Sequence, residues 1–470
     1  MAATDLTKPR VTVWGSLLEA IRGTHQDFTE GSITRAVFLL ATPMVLEMLM
    51  ESLFAVVDVF WVTRLGSDAV ATVGLTESML TLVFSVAIGV SMSTTAMVAR
   101  RIGEKDKQGA ARAASQAILL GVALALLMGA PGFWFSEHLL EWMGASPALI
   151  TTGHRYTSVV FGGSISVMLL FLDNAIFRGA GDASVAMRVL WFSNLVNLAL
   201  DPCLIFGIGP FPAMGVTGAA VSTLTGRSLG VVYQIWILTR GNSRIRVALS
   251  DFRLAPRIIG SLIRVSSTGV LQFAIAHTSW IILVRIISSF GSFAVAGYTI
   301  GIRIFIFVIL PSWGLSGAAA TMVGQNLGAK KPDRAERAVY LTGAYNMIFL
   351  GAVAIAFIGM PAPIVHIFTS DPIVAGFAID CLRIIACGNL FYAFGMVMIQ
   401  AFNGAGDTVT PTIINFFGFW LCEIPLAWLL AFHQHLQVRG VFASIPIAEL
   451  FITVLGLAVF TRGKWKRTKI

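Results

Sequence analysis

The chain has 470 residues, 56% of them hydrophobic and 12% charged, with a formal net charge of +9. The charged fraction is about half that of an ordinary soluble domain, which excludes a simple soluble architecture. The basic excess would suit nucleic acid, but its distribution, taken up below, points elsewhere.

The first 30 residues are polar or mixed, so no cleavable signal peptide is expected. Within them Trp14, Leu17, Leu18 and Ile21 follow i, i+3, i+4, i+7 spacing. That fits a short amphipathic helix on the inner membrane surface, with a disordered tail as the alternative. Twelve membrane helices are then predicted, at 33–64, 69–99, 113–136, 153–178, 186–207, 214–239, 260–290, 294–325, 337–360, 374–402, 409–432 and 440–461. Each reaches the roughly 20 residues that cross a bilayer, and the longer ones must tilt or kink. The expected organisation is a tail (1–32), a first six-helix lobe (33–239), a linker (240–259), a second lobe (260–461) and a basic tail (462–470). The polar stretch from Arg240 to Arg264 carries six arginines and Pro256 and would tether the lobes.

If the N-terminus is cytoplasmic, 26 of the 33 Lys and Arg fall on the cytoplasmic side. Only Arg64, Arg155 and Arg439 fall opposite, and Arg227, Arg285, Arg303 and Arg383 lie within helices. This is the positive-inside rule, so the basic balance reports topology: a multi-pass protein of the cell (inner) membrane with both termini inside, and no nucleic-acid partner. The cysteines (Cys203, Cys381, Cys387, Cys422) have neither CxxC nor zinc-site spacing.

The sequence also repeats itself. Gly179-Ala180-Gly181-Asp182 returns as Gly404-Ala405-Gly406-Asp407, and Gly66, Met97-Val98, Gly103 and Arg112-Ala113 return as Gly291, Met322-Val323, Gly328 and Arg337-Ala338. All share an offset of 225 residues. Two copies of six helices enter the membrane from the same side, so the repeats are parallel and form two bundles with a cleft between them. The Gly-Ala-Gly-Asp segment reads first as a structural turn, with Asp as N-cap of the next helix.

Charges within a bilayer are costly and need a reason. The first copy holds Glu47, Glu51, Asp58, Glu77, Asp173 and Asp201 against Arg227 alone; the second sets Arg285, Arg303 and Arg383 against Asp380, Glu423 and Glu449. At the repeat offset Asp58 and Asp201 correspond to Leu283 and Leu426. A cation or proton site is therefore expected in the first half. At ~1.5 Å per residue, Asp58, Asp201, Asn197 and Thr223 lie roughly 10, 9, 15 and 13 Å below the outer face. Asn197 and Asp201 are i, i+4 on one helix face. These four can coordinate Na⁺, or two carboxylates can share a proton; a static network packing the helices is the alternative. Glu47, Glu51 and Asp58 fall within about 40° on the first helix, as a proton path, a cationic-substrate contact or partners of Arg227. Pro43 breaks the hydrogen-bond ladder of that helix and is a candidate hinge or a static kink. Arg285, Arg303, Glu423 and Glu449 read as ion pairs across the second bundle, with a substrate site as the alternative. Met168, Met396, Met398, Phe161, Phe171, Phe391 and Tyr392 can line an adaptable apolar cavity or fill the core.

The chain resembles the multidrug and toxic compound extrusion (MATE) family, bacterial and archaeal branch. The matching stretches are Asp27-Phe28-Thr29-Glu30-Gly31-Ser32-Ile33, Ala41-Thr42-Pro43, Val57-Asp58-Val59-Phe60, Arg178 to Asp182, Asn197 with Asp201-Pro202, Gly215 to Ala220, and Asn403 to Asp407. The resemblance covers residues 27–460. It implies two six-helix lobes around a V-shaped cavity, and export of amphipathic, often cationic, organic compounds driven by H⁺ or Na⁺ through alternating access. It also implies a cation site at Asp58, Asn197, Asp201 and most nearly Thr223. Another branch uses a carboxylate on helix 7, where this chain has Gln272 and His277. A lipid-linked saccharide flippase of the same superfamily is the alternative, followed by a non-pumping channel or receptor. The chain shows no P-loop and no metal spacing, so no enzyme activity and no cofactor beyond the coupling ion are expected. The expected partners are small organic substrates and membrane lipid, with a monomer as the working unit.

Overall fold

The computed structural model describes residues 13–24, 26–241, 243–468 and 470, and every regular element among them is helical. Helix α1 (Val13–Arg22) forms on the predicted apolar spacing and is pinned to the first span by a 2.7 Å Glu19–Arg35 ion pair. The first twelve residues, part of the predicted tail, lie outside the described residues.

The first half contains α2 (Ile33–Thr63), α3 (Ser67–Gly103), α4 (Lys107–Trp134), a short α5 (Ser136–Trp142), α6 (Pro147–Gly162), α7 (Ser164–Ala180), α8 (Ala183–Phe206) and α9 (Val216–Arg240). The second contains α10 (Pro256–Ser288), α11 (Ser292–Gly328), α12 (Pro332–Gly359), α13 (Pro361–His366), α14 (Pro372–Ala386), α15 (Asn389–Ala405), α16 (Val409–His433) and α17 (Val438–Phe460). The predicted fourth and tenth spans are each two helices, α6–α7 and α14–α15, the latter bent by 59°. Counting that bent pair as one, ten stretches among the described residues are long and apolar enough to cross a membrane. The remaining two, α2 and α9, have the length but carry acids, an arginine and many small polar residues. The architecture is thus an all-helical, multi-span membrane fold.

The repeat is visible in the backbone. Helices α3 and α11 both have 37 residues, α4 and α12 both have 28, and α7 and α15 both have 17. Gly181 and Gly406 adopt φ of +88° and +82°, and each lets the next amide bond back to a helix carbonyl, Asp182 to Phe177 and Asp407 to Phe402. Lys105 and Lys330 share a positive φ as well, which no glycine had signalled. One expectation fails here. Asp182 does not cap the next helix; it accepts from Ser243 and the Arg244 amide and pairs with the Arg244 guanidinium at 3.1 Å. The linker takes the carboxylate that would have capped α8.

Both tails and the linker gather on one side, called here the tail side. Arg244 donates to the carbonyls of Thr24 and Gln26, Lys331 to that of Thr29, and Arg100 to that of Thr468. The halves are also locked together there. Thr321 and Gln325 of α11 donate to the Arg178 and Gly179 carbonyls of α7. The repeat-related glycines Gly103 and Gly328 let α3 and α11 touch: a Cβ on either would fall 1.9 or 2.2 Å from the facing carbonyl oxygen.

Candidate functional site

A cavity of about 420 Å³ lies between the halves. The first half contributes Glu47, Glu51, Asn174, Arg178 and Arg227; the second contributes Gln272, Tyr392, Asn403 and Glu449. Met48, Met92, Phe171, Trp313, Met396 and Phe419 supply apolar wall, an adaptable lining suited to varied organic molecules. Of the seven apolar residues expected to line such a space, Phe171, Tyr392 and Met396 do so. Met168, Met398 and Phe161 are instead buried in helix packing, and Phe391 is half-exposed away from the cavity.

Glu47 and Glu51 of α2 line this cavity, each held by an asparagine amide, with Arg178 close to Glu47. Glu47 is 1% exposed, accepts from Asn174 Nδ2 at 3.2 Å and lies 3.9 Å from Arg178. Its Oε2 has no partner, while Gln234 holds Asn174 from behind at 2.6 Å. Glu51 accepts from Asn194 Nδ2 of α8 at 3.2 Å. Neither makes an ion pair with Arg227, which instead lies in the electrostatic field of Asp58 and Glu77. Pro43 sits inside α2, one residue before the carbonyl of Met44, against which Gly314 of α11 packs. A Cβ on Gly314 would fall 2.4 Å from that oxygen.

Farther from the tail side, α8 and α9 build the second constellation. Asn197 donates to Thr223 at 2.9 Å and approaches Ser222 at 3.5 Å; Ser222 donates to Asp201. Asn197 Oδ1 and Asp201 Oδ2, one turn apart on α8, are both buried without partners. Asp58 lies in the field of Asp201, and Tyr156 senses both acids. Asn197, Thr223, Ser222 and Asp201 are joined by direct bonds, Asp58 acts on Asp201 only through its field, and none of the four predicted residues lines the cavity. The link is the shared face of α8, where Asn194, bonded to Glu51, is one turn before Asn197. Ser222 and Tyr156 went unread in the sequence; Ser222 is adjacent to Thr223, and only helix phase separates them. The free oxygens are a carboxylate and an amide carbonyl, a hard donor set that suits Na⁺ as well as a proton.

The second half does not pair its charges as expected. Asp380 binds Arg439 at 2.7 Å, but Glu423 and Glu449 have no basic partner among the described residues. Arg303 lies in the field of Glu77, across the interface between the halves. Neither Arg285 nor Arg303 lines the cavity. Asp173 is fully buried in α7 with both oxygens unpartnered. The four cysteines are free, and among the described residues no three His, Cys, Asp or Glu side chains form a metal-binding group.

Comparison with known proteins adds a family. A family model described as MatE matches residues 43–203 and 270–429. The probable multidrug resistance protein NorM of Thermotoga maritima is 26% identical over 439 residues, covering 93% of this chain and 94% of that one. The FAD transporter of Shewanella oneidensis is 25% identical over 407 residues, covering 87% and 89%. Among solved structures, an outward-facing multidrug resistance MATE family transporter of the MOP superfamily superposes with a TM-score of 0.88 at 25% identity, covering 94% and 98%.

Proposed function

We propose, on the premise that the chain belongs to the MatE family of multidrug efflux transporters, that it exports amphipathic organic cations in exchange for inward H⁺ or Na⁺. Asp58, Asn197, Asp201 and Thr223 hold the ion, and the cavity with Glu47 and Glu51 holds the substrate. Pro43 is the hinge at which α2 bends. The tail side is cytoplasmic, in the cell membrane, because it carries most of the basic residues. The lobes are residues 33–239 and 260–461, joined by the linker 240–259. One chain supplies both cavity walls, so a monomer suffices.

One observation carries this reading. Two buried oxygens, Asn197 Oδ1 and Asp201 Oδ2, lack partners on the α8 face that also meets the cavity acid Glu51 through Asn194. A buried unpartnered carboxylate oxygen is costly, and an ion or proton removes that cost. Binding there repacks α2, α8 and α9 around Asp58, Asn197 and Asp201. The same helices carry Glu47, Glu51 and Arg227 into the cavity, so ion and substrate occupancy are coupled. One inward charge moving down ~100 mV releases about 2.3 kcal/mol, a gradient of about fiftyfold for a neutral substrate; for a monovalent cation exported one for one the potential cancels, and the concentration gradient of the coupling ion supplies the drive.

The lipid-linked saccharide alternative would favour basic cavity residues to hold a pyrophosphate; the charged lining is instead Glu47, Glu51 and Glu449 with Arg178 and Arg227, and neither Arg285 nor Arg303 is part of it, which favours the organic-cation reading.

The test is efflux of a fluorescent cationic dye from proteoliposomes under imposed Na⁺ or pH gradients. The expected result is efflux driven by one gradient and lost in Asp58→Asn and Asp201→Asn. Efflux driven by neither gradient would sink the antiporter reading; driven efflux intact in both variants would sink the site.

A further inference from the structure

We propose that Glu423 and Glu449 form a second proton-binding site, in the second half of the chain, that opens onto the cavity through Glu449. The proposal takes the chain as an exporter with a water-reached cavity; it does not depend on the ion site of the first half.

Glu449 is 8% exposed, lines the cavity, and has no hydrogen bond or ion pair among the described residues. Glu423, 5% exposed, lies on the neighbouring helix in the field of Glu449 and accepts from Ser279 of α10 at 2.8 Å. Two buried carboxylates in one another's field, with no ion-pair partner among the described residues, do not both stay ionised at tolerable cost; a proton on either relieves the other.

The groups around them fit this use. Tyr392 of α15 lies in the field of both acids, Tyr298 of α11 in that of Glu423, and Cys422 of α16 beside it. The thiol is a soft donor, poorly matched to a hard cation such as Na⁺. From α10, His277 stacks on Phe273 and meets Trp280 edge-on; from α14, Asp380 is already paired with Arg439. Among the described residues no Lys or Arg forms an ion pair with either acid. The helix itself is irregular at this point: residues Phe416–Glu423 are wound as a π-helix that ends on the acid. Wide turns of this kind recur at functional sites, because they break the i→i−4 ladder and let carbonyls and side chains move. In the proposed step a hydronium ion in the cavity gives its proton to the pair: its O–H bond breaks, a carboxyl O–H bond forms, water is left, and the charge of the pair goes from −2 to −1. The reverse transfer to water follows when the cavity opens to the other side.

The test is infrared difference spectroscopy of the full-length protein in proteoliposomes between acid and neutral pH, in wild type, Glu423→Gln, Glu449→Gln, and each with Asp58→Asn and Asp201→Asn. The expected result is a protonated-carboxyl band that survives Asp58→Asn with Asp201→Asn and disappears in either glutamine variant. If Glu449→Gln fails to fold, Glu423→Gln reads the same shared proton. A band that vanishes with the first-half variants and ignores the glutamine variants overturns the proposal. So does a retained band when Glu449→Gln only weakens dye binding at fixed pH, since Glu449 is then a substrate contact. Loss of driven efflux in the aspartate variants tests the first-half site separately.

Discussion

Ser222 donates its hydroxyl hydrogen to Asp201 Oδ1 and leaves Oδ2, the other oxygen of the same buried carboxylate, without a partner. One oxygen is therefore fixed in orientation while the other remains free to bind. The hydroxyl thus aims the carboxylate, a positioning task distinct from that of Asn197, whose own free oxygen is one turn away on α8.

Ser222→Ala therefore leaves a second buried carboxylate oxygen unpartnered, at a cost of about 1–3 kcal/mol. The driving-ion concentration that half-saturates efflux is expected to shift by about tenfold or more. Thr223→Val removes only a neutral bond to Asn197, so a shift of about threefold is expected. Titrating driven efflux against the ion in both variants checks the order; an equal effect would show that Ser222 does not aim Asp201.

Glu47→Gln keeps an acceptor for Asn174 but removes a charge from the cavity wall. Binding of a monocationic dye should weaken about tenfold, the worth of a charge-assisted contact, while an uncharged substrate of similar shape is held nearly as before. Fluorescence titration of the two ligands measures the difference. Equal losses for both would mark Glu47 as a packing residue.

The sequence carried the scaffold far. Helix spans, the 225-residue echo and the turns at Gly181 and Gly406 were all legible, because apolar length and glycine at left-handed backbone are written locally. Asn197, Asp201 and Thr223 were legible because oxygen-bearing residues at helical spacing inside a bilayer are rare. Ser222 was not, because a one-residue error in helix phase turns a side chain by about 100°. The pairing of the second half was misread for a different reason. Counting charges balances Arg303 against Glu423 and Glu449, but only the packing shows Arg303 in the field of Glu77. The linker's capture of Asp182 was hidden likewise, since Arg244 is 62 residues away in sequence.

Tail-side chemistry predicts its own pH response. At Asp27, burial works against the charged form, but hydrogen bonds from the Thr29 amide and hydroxyl, at 2.8 and 2.6 Å, with Lys105 and Lys331 nearby, hold its pKa below the usual 3.8. A depressed carboxylate stabilises the fold above its unfolded pKa, and the contribution fades as pH falls below about 3.8 toward the lower folded value. Asp27→Asn should therefore lower the Tm of the purified protein by about 1–2 °C, the scale of an exposed, solvent-screened contact. The gap should stay constant at neutral and mildly acid pH and close only in strong acid. A gap that varies near neutrality would place the titrating group elsewhere.

The tightest contact between the halves gives the sharpest conformational prediction. Gly103 lies so close to α11 that a Cβ would come within 1.9 Å of the Gln325 carbonyl oxygen, with backbone on both sides and no flexible side chain to yield. Gly103→Ala therefore cannot close the tail side without separating α3 from α11. Overpacking of this kind costs about 1–3 kcal/mol, which shifts the balance between closed and open tail side at least about fivefold. The same separation strains the Thr321 and Gln325 bonds to the Arg178 and Gly179 carbonyls. Ser91→Cys, at a cavity-lining residue outside these locking bonds and with the four native cysteines replaced, reports the change: labelling by a membrane-impermeant thiol reagent from the tail side should rise in the Gly103→Ala background. Gly66→Ala is the control, because a Cβ there meets nothing within 4 Å although its φ of +99° is strained. Equal labelling in both backgrounds would show that the glycine contact does not gate the tail side.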